Sequence, residues 1–243
     1  STVAVVDRLT LDPSMQMPCF ASAIPGKYML HAFSSGGMVL KWFRDVFCDT
    51  EMRLETEGGE AAFDQIDKEV LSVAPGSDGL IMLPHLQGSG PPDADNNQKG
   101  VYFGITLAHK KAHFARAIME SIAMILRRMI EAMKPLGVEV NQIIALGGGS
   151  KSDVWCQLKA DATGVPVSVM STTESSACLG AAILAGVSSG IWESPEKAAD
   201  MIVKAKLTYT PDRDVKEIYD KLYEKTMKLQ YGLKVFYDDK SFQ

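Results

Sequence analysis

The 243-residue sequence predicts an α/β layered domain, and three observations carry that prediction. Apolar runs with strand character alternate with stretches of helical apolar spacing along most of the chain. Twice a strand-like run passes into a glycine turn and then a helix: Tyr28 to Phe33 into Ser34-Ser35-Gly36-Gly37, and Ile143 to Leu146 into Gly147-Gly148-Gly149-Ser150. No internal repeat or low-complexity segment breaks the alternation.

Val3 to Val6 and Tyr28 to Phe33 read as strands, and an amphipathic helix follows the second from about Met38 to Phe47. Glu57 to Glu60 is polar and reads as loop. Ala61, Phe63, Ile66, Val70 and Leu71 then keep helical spacing up to Pro75-Gly76, where the helix must stop. Leu80 to Leu83 is a short strand. Gln87 to Lys99, rich in Gly, Pro, Asp and Asn, reads as a loop without regular structure, and loops of that length inside a compact chain are often functional. Val101 to Thr106 alternates as a strand does, and Phe114, Ala117, Ile118, Ile122, Ile125, Leu126, Met129 and Met133 mark a long helix with a core face. After Ile143 to Leu146, the residues Val154, Trp155, Leu158 and Ala162 share a helical face that Gly164 closes, and Pro166 to Met170 returns as a strand. Ala177 to Gly186 is a small-residue helix, whose lack of bulk predicts tight packing against a neighbouring backbone. From Asp214 to Lys234, Ile218, Tyr219, Leu222, Tyr223 and Leu229 form one apolar stripe among charges, the pattern of a surface helix.

With 46% hydrophobic and 23% charged residues the chain has enough apolar surface for one large or two small cores. A net charge of −5 and scattered Lys and Arg create no basic field, which argues against a nucleic-acid partner. No run approaches the roughly 18 apolar residues of a membrane span, and no basic-then-apolar export signal opens the chain, so the expected location is cytoplasmic and off the membrane. Cys19, Cys48, Cys156 and Cys178 lack metal or redox spacing and read as reduced thiols. His109 and His113 stand four apart, but no further ligand accompanies them, so a metal is not expected there.

The glycine turn at Gly147 invites two readings. Without Cβ atoms, three consecutive glycines let a flat or charged group approach the main chain at a helix N-terminus, which suits a nucleotide. They equally make a tight strand-to-helix connection. A Walker A loop is excluded, because Ser150 precedes Lys151-Ser152 and Ala145 fills the earlier glycine position. The dinucleotide fingerprint fits only partly, with Ser152 where Gly or Ala is needed and Glu174 as the acid, so a nicotinamide enzyme is a weak alternative.

Gly100, Tyr102, Gly104, Ile105, then His113-Phe114 and Ala117-Ile118-Met119-Glu120 form a spaced pattern that resembles a signature of the FGGY carbohydrate kinases. Three further blocks agree in order: Ser35-Gly36-Gly37 running to Trp42-Phe43-Arg44-Asp45, the glycine turn with Ser152 and Asp161, and Glu174 with Ala177 to Leu184. The resemblance implies a ribonuclease H-like, actin-like ATPase lobe, a mixed sheet flanked by helices. In this family two such lobes enclose ATP and a sugar, and residues 1–243 look like the second lobe only, with residues 213–243 as its C-terminal helix and tail. The phosphate loop, most of the sugar pocket and the general base are then expected in an N-terminal lobe, and this chain alone is expected to be inactive.

Matched block by block, the resemblance places nucleotide contacts on Gly37 and Lys41, and on Gly147, Gly148, Gly149 and Ser152, with ATP and Mg2+ as the implied cofactors. Lys41 and Ser152 stand where amides are usual in the family; Lys41 also reads simply as a solvated cation on a helix face. The loop keeps Pro92, Asp95 and Gly100 of the family's Thr-Pro-x-x-Asp-Pro-x-Ala-Arg-Gly and has Lys99 in place of its arginine. Asp95 reads as structural, and Glu120 as capping a polar contact at the lobe junction. The segments Ala23 to Tyr28 and Pro84 to Gly90 look more like those of xylulose kinases than of ribulose, glycerol or gluconate kinases. A different class remains open: a binding or homodimer module, motivated by the apolar stripe Ile218, Leu222 and Leu229.

Overall fold

The structure, a computed structural model, describes residues 2–33, 36–171 and 176–239. Ser34, Ser35 and Glu174, named above, lie outside the described residues.

The first layer is an antiparallel sheet of β1 (Thr2–Val6), β2 (Cys19–Ala21) and β3 (Tyr28–Ala32), with β3 central and Ala4 opposite Leu30. Alternation along β3 buries Leu30 and Ala32 on one face. Three helices follow: α1 (Gly37–Phe47), α2 (Asp49–Thr56) and α3 (Ala62–Leu71). Sequence periodicity misses α2 because it is polar and buries only Glu51; its good helix formers and the acids Asp49 and Glu51 in its first turn stabilise it instead.

β4 (Ile81–Leu83) and β5 (Val101–Phe103) pair antiparallel. The strand expected to reach Thr106 stops at Gly104, where φ is 87° and a Cβ would lie 2.9 Å from the Gly79 carbonyl oxygen. The long helix is α4 (Lys111–Met133). Its start is fixed by His113, whose Nδ1 accepts the Lys110 N–H at 3.1 Å and whose Nε2 lies 3.1 Å from an Asp78 oxygen. Both ring nitrogens of His113 therefore serve the fold.

Next come β6 (Ile143–Ala145), α5 (Asp153–Thr163), β7 (Val167–Met170), α6 (Ser176–Ser188), α7 (Pro195–Ile202) and β8 (Ala205–Tyr209). β6 pairs parallel with β7, and β7 antiparallel with β8, which makes the expected mixed sheet. Gly164, at φ 70°, ends α5 in the left-handed conformation as anticipated. Ser194 caps α7 by accepting the Lys197 N–H at 3.2 Å, with Pro195 opening the helix, a sequence signature that apolar spacing alone passes over. The chain ends in α8 (Lys216–Gly232) and α9 (Lys234–Tyr237). No helix of the described residues is long and apolar enough to cross a membrane.

α4 is the spine. Its Ile118, Met119, Ala123 and Met124 are fully buried among residues of α1, α3, β4, α5 and α8. Each such Ile or Met contributes on the order of 1.5–3 kcal/mol relative to exposure. Further along, Ile125, Met129 and Met133 meet Met17, Leu30 and Ala32, which fastens the first sheet to the same helix.

One packing expectation is corrected. α6 does not bury its small residues: Ile183 and Gly186 are its buried positions, while Ala177, Cys178, Gly180, Ala181, Ala182, Leu184 and Ala185 are exposed. Only its far end packs closely, Gly186 lying so near the Trp192 ring that a Cβ would sit 2.4 Å from it. Of the α8 stripe, Tyr219 and Leu222 are buried in the main core and Leu229 packs against it, while Ile218 stays exposed.

Candidate functional site

β6 runs through buried Ala145 to Leu146 and Gly147, which has φ 75° and ψ −167°, a conformation open to glycine alone. A single 3-10 turn, Gly148–Ser150, follows. It is closed by the Ser150 N–H and Oγ, which donate to the Gly147 carbonyl at 3.0 and 2.6 Å, and by the Lys151 N–H on Gly148. Ser152 then caps α5, its Oγ accepting the Trp155 N–H at 3.0 Å. Among the described residues the N–H groups of Gly148 and Gly149 find no acceptor, so the turn that leads into α5 offers unpaired donors.

The three glycines are not equivalent. A Cβ built on Gly147 or Gly148 meets nothing within 4 Å, so the outer surface of the turn is open. At Gly149 it would lie 3.2 Å from the Trp155 ring, so the third glycine faces inward and serves packing. Trp155 is buried and donates its Nε1–H to the Met119 carbonyl at 3.1 Å, which ties the turn to the α4 spine.

Sequence reasoning passed over two residues beside this turn. Lys159, one helical turn past Trp155, donates from Nζ to the Gly149 carbonyl at 3.2 Å and lies 4.6 Å from the Trp155 ring centre. Burial holds its ammonium below the usual lysine range. Asp67 of α3 sits near the Ser152 hydroxyl, and burial raises its carboxyl above the usual aspartate range against the lowering effect of that hydroxyl. The i,i+4 spacing of Trp155 and Lys159 is legible in the sequence; the approach of Asp67 depends on how α3 packs on α5.

The other sequence-selected residues lie on α1. Gly36 precedes the helix with φ 51°, and a Cβ on Gly37 meets nothing within 4 Å. Lys41 is exposed and ion-paired with Asp45, which also takes Arg44 at 2.6 Å. Such an exposed pair is worth about 0–1 kcal/mol, so it does not fix Lys41 in place. Val39, Leu40 and Phe43 of α1 share the core that holds Trp155 and Leu158 of α5. The structure puts Gly147 to Ser152 in one segment ahead of α5, with Gly149 and Ser150 turned inward, and Gly37 and Lys41 on a separate helix whose Val39, Leu40 and Phe43 enter the same core.

Glu120 and the long loop have structural roles. Glu120 is 1% exposed and lies inside this lobe, not at its edge; it accepts from the Gly76 N–H and Ser77 Oγ at 2.8 Å and from Arg116 Nε at 2.9 Å. The loop is braced by Asp93, which takes Arg128 at 2.8 Å and the Tyr231 hydroxyl at 3.2 Å. Asp95 accepts the Asn97 N–H at 2.9 Å, an Asx turn that agrees with its structural reading. A small cavity under this loop, bordered by Phe33, His85, Ser89, Arg128 and Gln230, is separate from the glycine turn.

The cap makes a modest prediction. Ser152→Ala should cost about 1 kcal/mol in urea unfolding and Ser152→Asn should restore most of it; equal stability of all three forms would remove the capping role.

Comparison with known proteins agrees with this architecture. The chain is 31% identical over 216 residues to the xylulose kinase of Bacillus subtilis (strain 168), covering 86% of this chain and 41% of that protein. It is 33% identical over 216 residues to the gluconokinase of the same organism, covering 88% and 42%. The ligand-bound xylulose kinase from Lactobacillus acidophilus superposes with a TM-score of 0.83 at 28% identity, over 97% of this chain and 46% of that one. The fold is therefore the actin-like ATPase α/β lobe. The chain belongs to the FGGY family of carbohydrate kinases, whose C-terminal domain matches residues 2–189. It spans less than half the length of these relatives.

Proposed function

We propose that this chain is the nucleotide-binding half of an ATP-dependent kinase that phosphorylates a sugar hydroxyl, with a xylulose-like pentulose ahead of gluconate as substrate. The observation that carries the reading is the open face of Gly147 and Gly148, with the unpaired Gly148 and Gly149 N–H groups in the turn that precedes α5. The residues present fit adenosine: the bare main chain admits a flat base or ribose, and Ser152 keeps one acceptor lone pair beyond its cap bond. ATP, when bound, supplies the phosphoryl group. This chain's own share is to seat and orient the nucleotide and to shield one wall of the cleft from water.

Among the described residues no group of three or more His, Cys, Asp and Glu side chains is arranged to hold a metal. Mg2+ would then arrive on the phosphates, in keeping with its reluctance to enter all-protein cages. The sugar pocket and the base belong, in this reading, to an N-terminal lobe. The exposed small-residue face of α6 supports it, since residues without bulk suit close approach by a second packed body.

Calorimetry of the 243-residue chain with ADP should give saturable heat, and the same chain with ATP, Mg2+ and xylulose or gluconate should give no turnover. Absence of ADP binding would overturn the nucleotide seat. Robust sugar phosphorylation would overturn the division of labour.

A further inference from the structure

The glycine turn is held from behind by a small cluster that the nucleotide reading does not need in order to be stated. Lys159 donates to the Gly149 carbonyl at 3.2 Å, and its Nζ lies 3.8 Å from where a Gly149 Cβ would be. The same ammonium sits 4.6 Å from the centre of the Trp155 ring, and that ring closes against Gly149. Trp155 is itself fixed by its bond to the Met119 carbonyl. Cys156 adds a weak contact, its Sγ lying 3.8 Å from both the Gly149 and Ser150 carbonyl oxygens. Gly149 is thus gripped on its inner side while Gly147 and Gly148 stay open on the outer side.

We propose that Lys159 is a positioning residue for the nucleotide: by drawing the Gly149 carbonyl inward over Trp155, it fixes the Gly149–Ser150 peptide and so the closed turn that presents the Gly148 and Gly149 N–H groups. The inference rests on the nucleotide reading of the glycine turn. Its physical basis is that a peptide plane rotates as a unit, so fixing the Gly149 carbonyl also sets the Ser150 N–H, which closes the turn on the Gly147 carbonyl. A cation can hold that carbonyl more firmly than a neutral donor, because charge-assisted hydrogen bonds are the stronger class. The aromatic face below supplies the second attraction and keeps the ammonium from swinging out to water.

The arrangement gives Trp155 a second use. Since its ring touches the underside of the turn, occupation of the outer face should alter its emission, and replacing Trp42, beside Lys41 on α1, and Trp192, against Gly186, isolates that signal. In a Trp42→Phe, Trp192→Phe background, ADP titration should therefore change the remaining fluorescence with the midpoint seen by calorimetry.

The test compares the 243-residue chain with its Lys159→Met and Lys159→Arg forms. Lys159→Met should weaken ADP binding about tenfold, the scale of one lost charge-assisted bond, and Lys159→Arg should recover most of the loss. Hydrogen exchange at the Ser150 amide, which shares the Gly149 carbonyl's peptide plane and bonds to the Gly147 carbonyl, should quicken in Lys159→Met without nucleotide and return toward the parent rate in Lys159→Arg. Parent-like ADP affinity and amide exchange in Lys159→Met would overturn the positioning role while leaving the nucleotide seat intact. Faster amide exchange in a chain that shows no ADP heat in any form would sink the nucleotide reading and, with it, the role assigned to Lys159.

Discussion

Glu120→Ala should destabilise the lobe by about 3–5 kcal/mol, the cost of removing one member of a buried ion pair. The carboxylate holds three things at once. It pairs with Arg116, which is 8% exposed, and accepts from the Gly76 N–H and the Ser77 hydroxyl; the Tyr219 hydroxyl lies 3.4 Å away and takes Arg116 at 3.1 Å. Without it the guanidinium keeps only Tyr219 and the Val70 carbonyl and carries an uncompensated charge inside the core. Ser77 and Asp78 have φ of 49° and 51°, left-handed backbone that costs a non-glycine residue roughly 1–2 kcal/mol and persists only where surroundings enforce it. Glu120 is that enforcement at Gly76 and Ser77. Glu120→Gln preserves the shape and one acceptor but not the charge, so it should fall between the parent and Glu120→Ala. Urea unfolding monitored by circular dichroism measures all three, and a loss under about 1 kcal/mol for Glu120→Ala would show that the cluster is dispensable.

The same cluster shows what the sequence makes legible. Glu120 is visible as a charge on an otherwise apolar helix face, and its i,i+4 partner Arg116 can be read from spacing. That both point into the core and meet Ser77 and Tyr219, from segments far apart in the chain, is a matter of how α4 packs between β4 and α8. The glycine turn behaves alike. Its place between β6 and α5 follows from local pattern, whereas the cap that Ser152 makes, a residue read there as a nucleotide contact, comes from the structure. The inequality of its three glycines does not, because it depends on the Trp155 ring folding back under Gly149.

Elements with strong apolar periodicity, such as α4 and β7, were fully legible, whereas α2 and β8 were not. α2 buries only Glu51, and β8 is an exposed edge strand, so neither writes a core pattern into its residues. The inverse failure is α6. Its composition is that of a buried helix, and most of it lies exposed in this chain, since composition specifies that a surface wants cover but not what covers it.

Gly148→Asp should reduce ADP affinity more than 100-fold, a change of about 2.7 kcal/mol, while leaving the unfolding midpoint in place. The choice of position follows from the geometry. Gly147 has a positive φ, so any side chain there strains the folded state before it touches a ligand. Gly149 lies against Trp155, so a side chain there must push the ring. Gly148 has neither liability: its backbone is outside the left-handed region, and a Cβ meets no atom within 4 Å. An aspartate would therefore fold without strain and occupy the surface on which a nucleotide would lie. Its carboxylate would take up the free N–H groups of the turn and repel a polyanion, and like-charge juxtaposition at an interface costs several kcal/mol. Gly148→Ala separates the two effects, since it adds bulk without charge and should lose less. If Gly148→Asp binds ADP within threefold of the parent at equal stability, the open glycine face is a connection between β6 and α5 and nothing more.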